Sequence, residues 1–163
     1  MRLAGIVKDS IVDGDGIRDV IFVQGCPHHC VGCHNPQTWS FEGGEEYRFS
    51  DIADELEDSP NNITISGGEP FHNAKRLSDL VTYLDMVFPK KTIWIYTGYK
   101  FEELPEWLLE YFKYFNVEVI VDGAFEEDKK DTNLRFRGSS NQRLIDFKKT
   151  IESGQIVSWE ETE

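Results

Sequence analysis

Short runs of β-branched and aromatic residues recur along the chain, and most of them end at a glycine. Such runs, closed by turn residues, are typical of buried strands. They predict four strands, and a shorter apolar stretch at Leu3–Val7 predicts an additional edge strand. The four main runs are Asp19–Gly25, Asn62–Ser66, Thr92–Thr97 and Val117–Val121.

Helical periodicity fills the intervals between these runs. Ser50 is predicted to be the N-cap of a short helix that contains Ile52 and Leu56. Two apolar stripes with helical spacing follow, and they predict helices packed against a sheet rather than binding faces. The stripes extend from Leu77 to Phe88, just before Pro89, and from Leu104 to Phe115.

The alternation of strand and helix predicts parallel βαβ units. A complete (β/α)8 barrel takes about 250 residues, whereas this chain has 163. We therefore predict an α/β fold, a partial (β/α) barrel of about four to six parallel βα units that is open on one side. No repeat or linker divides the chain, so residues 1–163 are predicted to form a single domain. Ligands of such folds gather at the carboxyl ends of the strands, where the glycine turns lie.

The charge and hydropathy of the chain limit the classes of partner that it can bind. The chain has 17 basic and 30 acidic residues and a net charge of −13, which argues against a nucleic-acid surface. Its apolar runs are too short to span a membrane. Asp9 and Asp13 interrupt the N-terminal segment, so no leader peptide is expected and the predicted location is cytoplasmic.

All three cysteines lie in one short segment, Cys26–Cys33, with the spacing C-x3-C-x2-C directly after a predicted strand. An odd number in so short a segment excludes a disulfide framework and indicates a metal. Cysteine thiolates are the usual ligands of iron–sulfur clusters, and a [4Fe–4S] cluster normally takes four. Three ligands leave one iron open to another molecule. The alternative is a structural zinc site that one of three nearby histidines completes: His28, His29 or His34.

A second candidate site follows the Asn62–Ser66 strand. Gly67 and Gly68 lack a Cβ, so their backbone can approach a ligand closely. Glu69 offers an acceptor to a cationic group such as an ammonium.

The cysteine motif, with Gly-Gly-Glu after a later strand, resembles that of radical S-adenosylmethionine enzymes. The resemblance implies that S-adenosylmethionine chelates the open iron of a [4Fe–4S] cluster and is cleaved by one electron to a 5′-deoxyadenosyl radical. No side chain need then act as an acid or a base. The implied cluster ligands are Cys26, Cys30 and Cys33, and the residues implied to contact S-adenosylmethionine are Gly32, Cys33, His34, Gly67, Gly68 and Glu69.

Further segments narrow the resemblance. Asp13–Arg18 and Cys33–Pro36, with Trp39, are similar to the opening of glycyl-radical-enzyme activases, although Asp15 stands where many of these carry proline. Leu134–Arg143 resembles the activating proteins of anaerobic ribonucleoside-triphosphate reductase.

This narrower resemblance implies that the chain generates a glycyl radical on the large subunit of the reductase, with an electron from an external one-electron donor. A homodimer, or a heterotetramer with the reductase, is compatible with it. Two alternatives stay open: a radical S-adenosylmethionine enzyme acting on a small metabolite, and a non-catalytic zinc-binding interaction module.

Three arginines form a basic island in this acidic chain: Arg135, Arg137 and Arg143. They fit equally well a solvated loop with local ion pairs and a dock for a partner or an anionic ligand.

Overall fold

A computed structural model describes residues 1–161 of the chain and contains one open, mixed sheet. The strand order across the seven-stranded sheet is β3-β1-β2-β4-β5-β6-β7. The strands are β1 (Arg2–Ser10), β2 (Arg18–Val23), β3 (Glu45–Glu46), β4 (Asn62–Gly67), β5 (Ile93–Tyr96), β6 (Val117–Asp122) and β7 (Arg143–Asp146).

The centre of the sheet is parallel and its edges are antiparallel. Strands β2, β4, β5 and β6 run in one direction, with Ile21 beside Ile65 and Ile65 beside Ile95. Strand β1 pairs antiparallel with β2, and β7 pairs antiparallel with β6. The predicted α/β class and the open sheet are confirmed, with four parallel strands at the lower end of the predicted range. The barrel itself stays a prediction.

Helices α1 (Phe49–Leu56), α2 (Ala74–Val87) and α3 (Glu106–Phe112) connect the parallel strands, and α4 (Phe147–Ser153) follows β7. All four contribute to one apolar core with alternate residues of the strands, such as Ile63 and Ile65. Because side chains alternate across a strand, the helices cover one face of the sheet. A smaller apolar cluster lies on the other face and contains Trp94, Val119, Val121 and Phe136.

Helix boundaries differ from the predicted ones at two places. Helix α1 begins at Phe49, so the prediction of Ser50 as its N-cap is wrong. The carboxylate of Asp51 accepts a hydrogen bond from the backbone N–H of Arg48, so Arg48 is the N-cap, two residues before the predicted one. Leu104 lies outside α3, because Pro105 intervenes and the helix begins at Glu106.

Among residues 1–161, no helix is both long enough and apolar enough to cross a membrane.

Candidate functional site

The carboxyl ends of the four parallel strands meet at one edge of the sheet and border a cavity of about 630 Å³. Each strand is followed there by a glycine turn, as the sequence predicts. The cavity walls come from three of these turns, from the cysteine loop (Cys26–Cys33) and from the long connection between β6 and β7. Its lining includes Cys26, Cys30, Cys33, His34, Trp39, Gly67, Gly68, Thr97, Gly123, Phe125 and Arg137.

The cysteine loop is held by its backbone. The N–H of Cys26 donates to the carbonyl of Trp39 over 3.1 Å, and the N–H of Cys33 donates to the carbonyl of Cys30 over 3.1 Å. His29 and Gly32 adopt left-handed conformations, with φ of 48° and 78°. His29 has a Cβ and pays a conformational cost at that φ, so the folded surroundings must hold the loop in this shape.

The three thiols are free and all face the same cavity. Burial raises the pKa of Cys26, which is buried, and of Cys30, which is half-buried. These thiols therefore keep their protons at neutral pH until a metal displaces them. Within the described part of the chain, no three His, Cys, Asp or Glu side chains already converge on a single metal position.

The donor set fits an iron–sulfur cluster with one open iron. Three thiols from one loop line a cavity whose size lies within the range of roughly 300–1,000 Å³ that small-molecule and cofactor sites occupy. The histidines named as zinc ligands by the alternative are engaged elsewhere: His28 contacts Glu69, and the ring of His29 stacks on Trp39 at 4.6 Å. His34 lies against Phe125, with ring centroids 5.2 Å apart.

The two glycines after β4 lie in the cavity wall, and both are required by close backbone packing. A Cβ on Gly68 would lie 2.3 Å from the carbonyl oxygen of Gly25. Gly67 has a φ of 105°, and a Cβ there would lie 2.5 Å from the backbone nitrogen of Val23. These glycines therefore bring the β4 turn directly against the segment that carries the cysteine loop.

Two of the predicted contacts, Gly32 and Glu69, are not among the residues that line the cavity. Gly32 faces Glu127, whose carboxyl carbon is 3.1 Å from the position of a Cβ on that glycine. Glu69 is buried, and its carboxylate accepts hydrogen bonds only from groups of this chain.

The three arginines of the basic island differ in their partners. Arg135 forms an ion pair with Glu161. Arg143 binds the buried carboxylate of Asp122 and also Glu102, and these bonds raise its pKa. The local-ion-pair interpretation therefore fits both.

Arg137 has no carboxylate partner among residues 1–161. Its Nη1 donates to the carbonyl of Gln142 over 2.5 Å, and its buried Nε has no partner there. Of the three arginines, Arg137 is thus the one that combines a place in the cavity wall with unused donors.

Sequence reasoning missed much of the cavity wall beyond the cysteine loop. The sequence alone predicts no role at the site for Thr97 or Phe125. The available signal was their position just beyond the carboxyl ends of β5 and β6.

Comparison with known proteins identifies the class of this site. Residues 12–145 match the family described as a 4Fe-4S single cluster domain. The chain is 41% identical over 150 residues to the anaerobic ribonucleoside-triphosphate reductase-activating protein of Enterobacteria phage T4, covering 88% of this chain and 93% of that protein. The proteins of the same name from Haemophilus influenzae and Escherichia coli K12 are 36% and 39% identical, covering 85% and 81% of this chain and 93% and 90% of theirs.

The fold and the cysteine site thus define an iron–sulfur protein of the 4Fe-4S single cluster domain class. Within that class, the chain belongs to the family of anaerobic ribonucleoside-triphosphate reductase-activating proteins.

Proposed function

We propose that this chain activates an anaerobic ribonucleoside-triphosphate reductase by generating a glycyl radical on it. The observation that carries the proposal is the shared cavity of Cys26, Cys30 and Cys33, which lies beside the Gly67–Gly68 turn of the neighbouring strand. The names of its relatives supply the target.

In this proposal, the three cysteines hold a [4Fe–4S] cluster and leave one iron open for the amino and carboxylate groups of S-adenosylmethionine. When bound, the cluster and S-adenosylmethionine supply reductive cleavage of the sulfonium and abstraction of a hydrogen atom from glycine. The electron comes from an external donor.

The protein itself binds and orients these groups. The backbone of Gly67 and Gly68 would bind the methionine portion of S-adenosylmethionine, and His34, which lines the same cavity, would contact the cofactor as well. Glu69 supports the wall through its hydrogen bond from the N–H of Gly98, and Gly32 lies against Glu127 and Phe125. Phe125 and Trp39 restrict the access of water to the cysteine loop.

The open sheet suits a macromolecular substrate. A sheet that curves as a partial barrel without closing leaves its carboxyl rim accessible, so a loop of a folded partner can reach the cavity. Among residues 1–161, the cavity is bordered by exposed apolar side chains, Ile11 and Val12.

The test is anaerobic reconstitution with iron and sulfide, followed by addition of S-adenosylmethionine, a reductant and the reductase. We expect about four iron atoms per chain with absorption near about 400 nm, production of methionine, and a glycyl radical signal in electron paramagnetic resonance. Zinc in place of iron contradicts the cluster. Cleavage without a radical on the reductase indicates a small-metabolite enzyme instead.

A further inference from the structure

The carboxylate of Glu69 connects three strand ends. It lies on the turn after β4, and its own backbone N–H donates to the carbonyl of Gly25, just after β2. From the β5 turn it receives the hydroxyl of Thr97 at 2.9 Å and the N–H of Gly98 at 2.7 Å. From the cysteine loop it receives Nε2 of His28 at 2.7 Å.

This carboxylate has no exposed surface and little remaining capacity. Its Oε1 accepts from His28, Thr97 and Gly98, which already exceeds the two lone pairs of a carboxylate oxygen. Its Oε2 accepts from the N–H of Phe71 and shares the Thr97 hydroxyl. The side chain is 0% exposed. An ammonium can therefore reach Oε1 only by displacing one of these donors.

The ring of His28, which donates to Glu69, is itself held in place by packing. It lies between Cys26 and Cys30 in sequence, and its ring packs edge-on against Tyr99 with centroids 4.5 Å apart. Gly98 provides the space for the ring, because a Cβ there would lie 2.6 Å from it. The His28 side chain is only 18% exposed. Its ring thus occupies a fitted position on the β5 turn.

We propose that His28 and Glu69 form a clamp that holds the cysteine loop in its ligand-binding shape before iron is bound. The proposal rests on the cysteine loop being the cluster site, as proposed above. In the clamp His28 is a positioning residue rather than a ligand, and Glu69 acts mainly on the loop rather than on the S-adenosylmethionine ammonium.

The physical reason is the cost of ordering the loop. Substitution of residues that orient metal ligands without binding the metal typically lowers metal affinity by about 10- to 100-fold. The bond from Nε2 to a buried carboxylate is charge-assisted, and it joins the loop that includes the left-handed His29 to a rigid strand end. Without this bond, the conformational entropy lost when the loop becomes ordered reduces the free energy of iron binding.

The experiment compares His28→Ala, His28→Phe and His28→Gln with the full-length wild type. Two quantities are measured: hydrogen exchange of the amides of residues 26–34 in metal-free protein, and the rate at which the reconstituted cluster is lost to an iron chelator. His28→Phe keeps the ring packing against Tyr99 without the donor, whereas His28→Gln keeps a donor. His72→Gln is the matched control, since His72 is exposed, lies outside residues 26–34, and packs its ring against Phe41 rather than against the carboxylate of Glu69.

We expect His28→Ala and His28→Phe to lose the cluster about tenfold faster and to exchange these amides faster. His28→Gln should recover most of the difference, and His72→Gln should match the wild type. Equal rates of cluster loss in all variants would overturn the clamp. Unchanged cluster loss with tighter binding of S-adenosylhomocysteine in His28→Ala would also overturn it, because His28 would then be holding the place of the ammonium.

The outcomes separate the clamp from the proposed function. A wild-type protein that takes up no iron overturns the cluster proposal and the clamp together. A wild type that loads normally beside variants that behave identically to it overturns only the clamp. Thermal unfolding of each metal-free variant shows whether a change comes from the loop or from the whole fold.

Discussion

The two ends of the parallel strands each bury a charged side chain, but the two charges are used differently. Arg18, 1% exposed, lies where β2 begins, and Glu69, 3% exposed, lies beyond the end of β4. Both are satisfied by groups of this chain. What differs is the structure that each one attaches to the sheet.

At the amino end, the guanidinium of Arg18 connects β2 to β4 and to the start of β5. It donates to the carbonyls of Ile63 and Thr92, to the hydroxyl of Thr64 and to the carbonyl of Asp15. Burial lowers the pKa of Arg18 to about 10, so the group stays charged at neutral pH. Three of these partners lie in β4 or directly before β5, and Asp15 lies in the loop before β2, so this network stabilises the fold.

At the carboxyl end, Glu69 joins the sheet to a loop that carries ligands. Three of its donors come from His28, Thr97 and Gly98, and the first of these belongs to the cysteine loop. A buried charge at this end therefore organises a site. The comparison predicts that substitutions at the amino end reduce stability, whereas those at the carboxyl end reduce iron binding or activity.

The largest effect is expected from the cysteines. Cys26→Ala, Cys30→Ala and Cys33→Ala should each abolish the [4Fe–4S] cluster and all cleavage of S-adenosylmethionine, because the chain contains no other cysteine to replace the lost ligand. Iron content and methionine production measure this. The thermal stability of the metal-free variants should stay near that of the metal-free wild type. A single variant that kept a complete cluster and its cleavage activity would remove the three-ligand assignment.

Arg18→Met should have the next largest effect, and it should act on folding. Loss of the guanidinium leaves the carbonyls of Ile63 and Thr92 without this donor in a buried place, so we expect about 3 kcal/mol lower free energy of unfolding. Urea unfolding of the metal-free protein measures it. The folded fraction should still bind the normal amount of iron. A stable variant deficient in iron would contradict the division between the two ends.

Arg143 gives an intermediate case, because it stabilises the fold from the carboxyl end of the parallel strands. Arg143 binds the buried carboxylate of Asp122, which also accepts from the N–H of Phe101. Arg143→Gln should lower the free energy of unfolding by about 2 kcal/mol, because the carboxylate loses its charged partner. Arg48→Gln is the control, since Arg48 pairs with Asp51 on the surface and should unfold like the wild type. Equal stability of both variants would show that the Arg143–Asp122 pair is redundant.

Most central elements of this fold are readable from the sequence, because parallel strands buried on both faces form continuous β-branched runs. Strand β7 is not predicted: its four residues, Arg143–Asp146, place only two apolar side chains between two charged ones, and the strand forms through pairing with β6, which lies about twenty residues earlier. Helix α4 was missed for a similar reason, since it is short and depends on Phe147 reaching the distant core.

The cysteines of the candidate site are predictable from the sequence, whereas the surroundings of Glu69 are not. The three cysteines are close in sequence, so their spacing alone indicates a shared ligand. The partners of Glu69 come from positions 28, 71, 97 and 98, and only the folded sheet brings them together. For that reason the sequence suggested an acceptor free for a ligand, whereas the structure shows a carboxylate that is already engaged.

The smallest expected effect concerns Arg137, which lines the cavity and, unlike Arg135 and Arg143, has no carboxylate partner among residues 1–161. Arg137→Ala should fold and bind its cluster, yet give about tenfold less glycyl radical on the reductase, since the guanidinium has donors left to hold a carboxylate or carbonyl groups. Lys129→Ala is the control: Lys129 pairs with Glu126 on the surface of the same connection and should activate normally.

Cleavage of S-adenosylmethionine without the reductase then locates the role of Arg137. Normal cleavage with a weak radical signal places the side chain at the partner, because the cofactor is handled as in the wild type. Impaired cleavage places it at the cofactor, since its Nε has no hydrogen-bond partner among residues 1–161. Activation at the wild-type rate would place Arg137 with Arg135 and Arg143, whose guanidinium groups bind carboxylates of this chain. The cysteine loop and the β4 turn would then form the cofactor site at the carboxyl end without a contribution from Arg137.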